Sequence, residues 1–235
     1  MTPQIKALMF DVFGTVVDWR TSVSADLAAF FAPRGVTRDW TRMAVDWRGM
    51  YQPAMEAVRR GTRTYVILDD LHRENLDALL AAYDIAGLNA AELDYINRAW
   101  HRLHPWPDCV EGLTQLRARF ILATASNGNT ALMVNLARFG GLPWDAILGA
   151  AHTRSYKPMP QTYLGSAEAL GLSPSDCMMV AAHNDDLAAA RALGFATAFV
   201  CRPTEHGPDQ TTDLQEESDW DFVCDSMTDL AKALL

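Results

Sequence analysis

Lys6-Ala7-Leu8-Met9-Phe10-Asp11-Val12-Phe13-Gly14-Thr15 is the stretch around which this chain is organised. From Ile5 to Phe10 the run is apolar apart from Lys6, as expected of a strand buried on both faces. It delivers one carboxylate, Asp11, into a turn where Gly14 lets the backbone fold back sharply. Open α/β sheets place their ligands at the carboxyl ends of their strands, which is where Asp11 stands. Taken alone, Asp11 is as readily a loop-capping residue as a chemical one, and the rest of the chain has to decide.

Composition narrows the choice. The 235 residues, 49% of them hydrophobic, suffice for one large α/β domain or a domain with an insertion. A formal net charge of −9 argues against a nucleic-acid partner. No apolar run has the length of a membrane span, and the N-terminus has no signal-peptide pattern. Cys109, Cys177, Cys201 and Cys224 are scattered, without a CxxC pair or a His/Cys cluster of the zinc type. Reduced thiols in a cytoplasmic protein are the expectation.

After Thr15 the pattern turns helical for about eighty residues. Apolar spacing predicts helices over Ser24–Phe31, Asp39–Arg60, Val66–Tyr83 and Ala90–Leu103, with Pro53 kinking or dividing the second. Residues 16–104 therefore read as a helical insertion, leaving 1–15 and 105–235 as the main body. From Asp108 onward helices and strands alternate, as in a parallel sheet. Strands are expected at Phe120–Thr124, Ala146–Leu148, Cys177–Ala181, Phe195–Val200 and the edge segment Phe222–Val223. Helices are expected at Val110–Ala118, Asn129–Phe139, Gln161–Leu170, Asp185–Leu193 and from Met227, and Arg202 to Asp219 reads as loop. The fold class is α/β, a doubly wound parallel sheet with a helical cap.

Four groups fall at strand ends or in the loops that follow: Asp11 with Thr15, Ser126-Asn127, Lys157, and His183-Asn184-Asp185-Asp186. In a doubly wound sheet such positions converge on one crevice. Ser126 alone is an ordinary helix N-cap candidate, and a lone loop lysine is usually solvated; the ordered combination is the specific signal. Asp11-Val12-Phe13-Gly14-Thr15, Ala125-Ser126-Asn127-Gly128-Asn129, Tyr156-Lys157-Pro158 and the late acidic motif together resemble the haloacid dehalogenase superfamily, whose Rossmann-like core carries a cap domain. Asp11 to Arg20, Trp47-Arg48 and Ser126 to Asn129 resemble the L-2-haloacid dehalogenases most.

Many members of that superfamily are magnesium phosphatases with an aspartate two residues after the nucleophile. Here that position is Phe13, which has no proton to donate. Aligning the last phosphatase aspartate with Asp186 puts Ala181-Ala182 where a metal-binding Gly-Asp is expected, so magnesium loses a carboxylate ligand. The resemblance instead implies a metal- and cofactor-free dehalogenase of short 2-haloacids. Asp11 attacks carbon to form an ester, which water then hydrolyses. Lys157 keeps Asp11 ionised, Thr15 hydrogen-bonds it, and Asp186 pairs with Lys157 or places water. Arg48 and Asn127 cradle the halide, Ser126 and backbone N–H groups hold the substrate carboxylate, and Phe13 and Tyr163 border the site. An apolar pocket from Phe13, Trp19, Tyr51 and Trp106 competes with their being plain core. His72, His101, His104 and His206 read as surface or cap residues without partners.

The sequence departs from the resemblance at Ala181-Ala182-His183-Asn184, where Ser-Ser-Asn is expected before the acid. His183 or Asn184 is the candidate to place the hydrolytic water or the ester carbonyl. An imidazole is bulkier than a carboxamide, which favours short substrates, fluorinated ones included. A phosphatase with an atypical metal site and a catalytically silent member are the alternatives. A homodimer is implied by the resemblance; the Trp- and Met-rich segment Trp40–Met55 reads either as its face or as a stripe buried within the chain.

Overall fold

The computed structural model describes residues 5–235. Its centre is a six-stranded, all-parallel sheet of order β5-β4-β1-β6-β7-β8. The strands are β1 (Ala7–Phe10), β4 (Ile121–Ser126), β5 (Ala146–Gly149), β6 (Cys177–Ala181), β7 (Ala196–Val200) and β8 (Phe222–Cys224). Alternation within them explains why they read as unbroken apolar runs. Leu8 and Phe10 of β1, with Met178 and Val180 of β6, enter one core. Ala7 and Met9, with Cys177, Met179 and Ala181, enter the other. A strand whose two faces both meet a core needs no polar face.

The helices α6 (Cys109–Arg117), α7 (Thr130–Gly140), α9 (Pro160–Ala169), α10 (Asn184–Arg191) and α11 (Met227–Leu234) cover the two faces, and the short α8 (Ala150–Thr153) follows β5. Helices α6 and α11 pack closely because Gly112 has no side chain; a Cβ there would lie 2.7 Å from the Met227 carbonyl carbon and oxygen. All five expected core strands are present within two residues of their expected limits. Among the described residues, no helix is long and apolar enough to cross a membrane.

Between β1 and α6 lie the helices α1 (Trp19–Phe31), α2 (Trp40–Gly49), α3 (Tyr51–Arg59), α4 (Leu68–Ala82) and α5 (Ala90–Asn97), the last continued by a 3-10 turn over Arg98–His101. Two details correct the sequence reading. The first helix begins at Trp19, five residues ahead of Ser24, because Asp18 caps it and accepts from Thr21 N–H. The segment Asp39–Arg60 is two helices, and the break falls at Met50 rather than at Pro53. Pro53 sits in the first turn of α3, where an N–H has no intrahelical acceptor to lose. The region also contains a strand pair that apolar periodicity does not signal: β2 (Val17–Asp18) runs antiparallel to β3 (His104–Pro105), joining the two ends of the helical segment.

The helical layer is not a separate core. Phe13 from the β1 loop meets Tyr51 and Trp100 edge-on at centroid distances of 6.3 and 6.1 Å, and Trp100 stacks on Trp19. Trp47, Met43 and Met55 are fully buried within the chain, so the stripe along Trp40–Met55 packs inward.

The Gly112 contact gives a test of sign. In an exposed helix, Gly→Ala stabilises by about 1 kcal/mol. Here Gly112→Ala is expected to destabilise by about 1–3 kcal/mol, the usual range for overpacking. Urea denaturation measures it, and a raised midpoint would contradict this packing.

Candidate active site

Three adjacent central strands, β4, β1 and β6, end on the same edge of the sheet, and their first loop residues meet there. Asp11 follows β1, and its N–H donates to Val180 O (3.0 Å). The chain then turns back through Gly14, whose φ of +86° suits glycine. This places Thr15 beneath Asp11. The Thr15 hydroxyl donates to Asp11 Oδ2 (2.8 Å) and accepts from Ala182 N–H (2.9 Å), linking the β1 loop to the end of β6.

Lys157 approaches from the loop between α8 and α9. Its Nζ donates to Asp11 Oδ1 (2.8 Å) and to Asp186 Oδ2 (2.5 Å). Tyr163 OH donates to the other Asp186 oxygen at 2.6 Å. All four side chains are buried. Burial alone raises a carboxyl's pKa, but here the Lys157 charge and His183 outweigh it and hold Asp11 well below the usual carboxylate range. Burial also acts against charged Lys157, yet Asp11 and Asp186 hold its ammonium above the ordinary value. Asp186 shifts upward, driven by burial and by the Asp11 charge.

His183, the N-cap residue of α10, lies on the other side of Asp11. Its Nδ1 is 3.3 Å from Asp11 Oδ2 and its Nε2 is 2.9 Å from Glu205 Oε2. Burial disfavours the imidazolium, but Glu205 and Asp11 reverse that and hold its pKa well above the ordinary value. Glu205 is 1% exposed and accepts from Trp19 Nε1 at 2.9 Å. It fits because residue 14 is glycine: a Cβ on Gly14 would fall 2.1 Å from Glu205 Oε1. Arg202 anchors the same loop, donating from Nε to Thr15 O and forking onto Asp108.

A cavity of about 630 Å³ opens over this group. Asp11, Lys157, His183 and Asp186 line it, with Phe13, Arg48, Tyr51, Asn127 and Tyr163, and Gln52, Glu56, Arg59 and Arg60 also border it. The Arg48 guanidinium lies 4.1 Å above the Tyr51 ring, and its Nε is buried without a protein partner. Asn127 Oδ1 accepts from Lys157 N–H at 2.8 Å. The arrangement offers an ionised nucleophile, a fixed cation on either side of it and a guanidinium across an apolar wall. It suits displacement at carbon followed by acyl hydrolysis.

Most of the sequence-derived candidates meet at this cavity, and the exceptions are informative. Ser126 is fully buried, accepts from Gly128 N–H (3.1 Å) and is not part of the cavity wall. Asn184 is turned away from the site. Its side chain bonds Asp213, the Gln215 carbonyl, Glu217 N–H and Trp220 Nε1, bracing the 213–220 segment. Of the proposed aromatic pocket, Phe13 and Tyr51 line the cavity, whereas Trp106 donates to Gly14 O (2.7 Å) beneath it. His72 and His101 are buried rather than superficial. His101 bonds Asp69 and Asn135, and His72 stacks on Trp100 at 4.6 Å, where burial pushes its pKa down to about 3 and keeps it neutral. His206 packs edge-on against Trp19 and stands 3.6 Å from Glu205. Glu205 is the residue that sequence reading missed. It lies in a polar loop, and its one signal is a lone acid beside a histidine where a buried partner for His183 is needed.

Residues 5–194 match the family model of the haloacid dehalogenase-like hydrolases. The chain is 28% identical to (S)-2-haloacid dehalogenase 4A of Burkholderia cepacia, over 86% of this chain and 85% of that protein. It is similar to the crystal structure of a defluorinating L-2-haloacid dehalogenase, with 49% identity and a TM-score of 0.96 over 98% of this chain and 95% of that one. A further L-2-haloacid dehalogenase structure is 47% identical, with a TM-score of 0.95 over 98% of both chains. An aspartate at the end of the central strand, held by a lysine and matched in family and in fold, places this chain among the haloacid dehalogenase-like hydrolases.

Proposed function

We propose that this chain hydrolyses short (S)-2-haloalkanoic acids, haloacetates and fluoroacetate included, to 2-hydroxy acids through an ester on Asp11. The observation that carries the reading is a buried Asp11 held ionised between Lys157 and His183, with Phe13 where a leaving-group acid would otherwise stand. The reaction of the relatives described above supports it.

Asp11 attacks C2 opposite the halogen; an O–C bond forms as the C–halogen bond breaks, and the halide leaves with the electron pair. Arg48 and Asn127 take the developing halide, backbone N–H groups after Asp11 take the substrate carboxylate, and Thr15 and Lys157 orient Asp11; Ser126, buried behind the cavity wall, shapes the loop by accepting from Gly128 N–H instead of touching substrate. Asp186, which accepts from the Tyr163 hydroxyl, holds Lys157. Once esterified, Asp11 is neutral and withdraws its share of the support for the imidazolium, while Glu205 keeps its own against the cost of burial; in this reading His183 then gives its proton to solvent. Backed by Glu205, the neutral ring takes one proton from the water that attacks the ester carbonyl and returns it to the departing alkoxide; the water's second proton, left on the regenerated Asp11 carboxyl, then passes to His183 and restores the resting ion pair. This role falls to His183 alone, since Asn184 is engaged elsewhere.

In the same reading, residues 16–104 are a cap over a core formed by 1–15 and 105–235, residues 1–4 lying outside the described part. The enzyme is metal-independent, cytoplasmic and homodimeric. The site supports metal independence, because the Lys157 ammonium occupies the position between Asp11 and Asp186.

Purified enzyme is expected to release halide from fluoro-, chloro- and bromoacetate and from (S)-2-chloropropionate, equally with and without EDTA. Asp11→Asn is expected to release none. Phosphate release from small phosphomonoesters that needs magnesium, with no halide release, would overturn the reading.

Glu205→Gln keeps the acceptor for Trp19 and removes the charge behind His183. Halide is then expected in a single burst, with the ester on Asp11 accumulating as a mass increase and turnover falling at least tenfold. An unchanged steady-state rate would refute the proton-transfer role.

The same variant tests the charge on His183. With its folded value raised above the unfolded one, the imidazolium stabilises fully below about pH 6.5, and that stability is lost as pH rises through the folded value. Imidazole NMR titration should show His183 protonated beyond pH 6.5 in the wild type and titrating lower in Glu205→Gln. The dependence of Tm on pH above neutrality should flatten. An unmoved midpoint would contradict the pairing.

A further inference from the structure

Lys157 is fixed by more than its ammonium. Its N–H donates to Asn127 Oδ1 (2.8 Å), and Asn127 follows β4. Its carbonyl accepts from Arg59 Nε at 2.8 Å, and Arg59 ends α3, ninety-eight residues away in the helical layer. The neighbouring Tyr156 is fully buried and donates from its hydroxyl to Val66 O (2.6 Å), in the same layer. The sheet therefore holds one side of the Lys157 peptide and the helical layer holds the other.

The rest of the Arg59 guanidinium is also engaged. Nη2 donates to Gln52 Oε1 (2.7 Å) and lies 4.0 Å from Met55 Sδ, and Nη1 stands 3.5 Å from Glu56 Oε2. The side chain is only 12% exposed. Although Arg59 borders the cavity, its donors are turned into α3 and onto the Lys157 carbonyl, not toward a substrate anion.

We propose that Arg59 is a positioning residue that docks the helical layer onto the Lys157 backbone, so that seating this layer sets the ammonium between Asp11 and Asp186. A lysine side chain reaches its target through a flexible stem, and fixing the peptide at both N–H and C=O removes the main freedom of its base. Displacements of about 1 Å at a reacting group cost up to about a hundredfold in rate. The inference rests on the roles given above to Asp11 and Lys157.

Arg59→Ala and Arg59→Lys are compared with Tyr156→Phe, which removes a different bond between the two layers. For Arg59→Ala, kcat for (S)-2-chloropropionate is expected to fall at least tenfold with KM within about threefold. Arg59→Lys, still able to donate to the carbonyl, should regain part of the loss, and Tyr156→Phe should stay within about threefold of wild type. A crystal structure of Arg59→Ala, or of Arg59→Lys should the alanine variant not fold, is expected to show Lys157 Nζ no longer bonding both Asp11 and Asp186. A rise in KM with kcat unchanged would make Arg59 a substrate-binding residue and overturn the inference. So would equal losses in Tyr156→Phe and Arg59→Ala, or an ammonium left in place in the crystal. A wild type that releases no halide sinks the assigned reaction instead, and the crystal structure still decides whether Arg59 holds Lys157.

Discussion

A carboxylate sealed between strands and helices remains an anion only if cations follow it inside. Transferring an ion out of water costs several kcal/mol even after the protein relaxes, and each pKa unit of difference between two protonation states is worth about 1.4 kcal/mol. Asp11 meets this cost with two cations on opposite sides, Lys157 on Oδ1 and His183 near Oδ2, and with the Thr15 hydroxyl. Each cation in turn has a second carboxylate: Asp186 for Lys157 and Glu205 for His183. The chain of charges alternates in sign across the cavity floor, so removal of any one member leaves a buried neighbour uncompensated.

The fold supplies this alternation with little local distortion. The parallel sheet brings the ends of β4, β1 and β6 side by side, which accounts for Asn127, Asp11 and His183. Two positions do the rest. Gly14 clears the space that the Glu205 carboxylate fills, and Arg202 ties that loop to Thr15 and Asp108. Phe13 and Tyr51 then give the cavity an apolar wall beside the charges, and Trp100 and Trp19 pack behind Phe13. Electrostatic interactions strengthen in such surroundings.

What was legible in the sequence follows from periodicity and from residue type. Strands buried on both faces announce themselves as apolar runs, so the strands are readable along the chain, and Asp11, Thr15, Asn127, Lys157, His183 and Asp186 fall just past their ends or in the connections that follow. The remainder depends on side chains from segments without a period. Glu205 lies in a polar stretch whose charges look solvated, and nothing local marks it as 1% exposed. Asn184 adjoins His183, and only the path of the 213–220 loop shows that its amide faces outward to that loop. The break at Met50 was hidden because Pro53, the obvious breaker, is harmless in a first helical turn. The β2–β3 pair is two residues long on each side, too short for any alternation to show.

The central claim is that Asp11 is the atom donor to the product and that water attacks its ester. Single turnover in oxygen-18 water, with enzyme in excess over (S)-2-chloropropionate, measures this directly. The account predicts one heavy oxygen in the peptide containing Asp11 and an unlabelled hydroxyl in the 2-hydroxypropionate. A labelled product with an unlabelled Asp11 peptide would mean that water attacks the substrate carbon, and would contradict it.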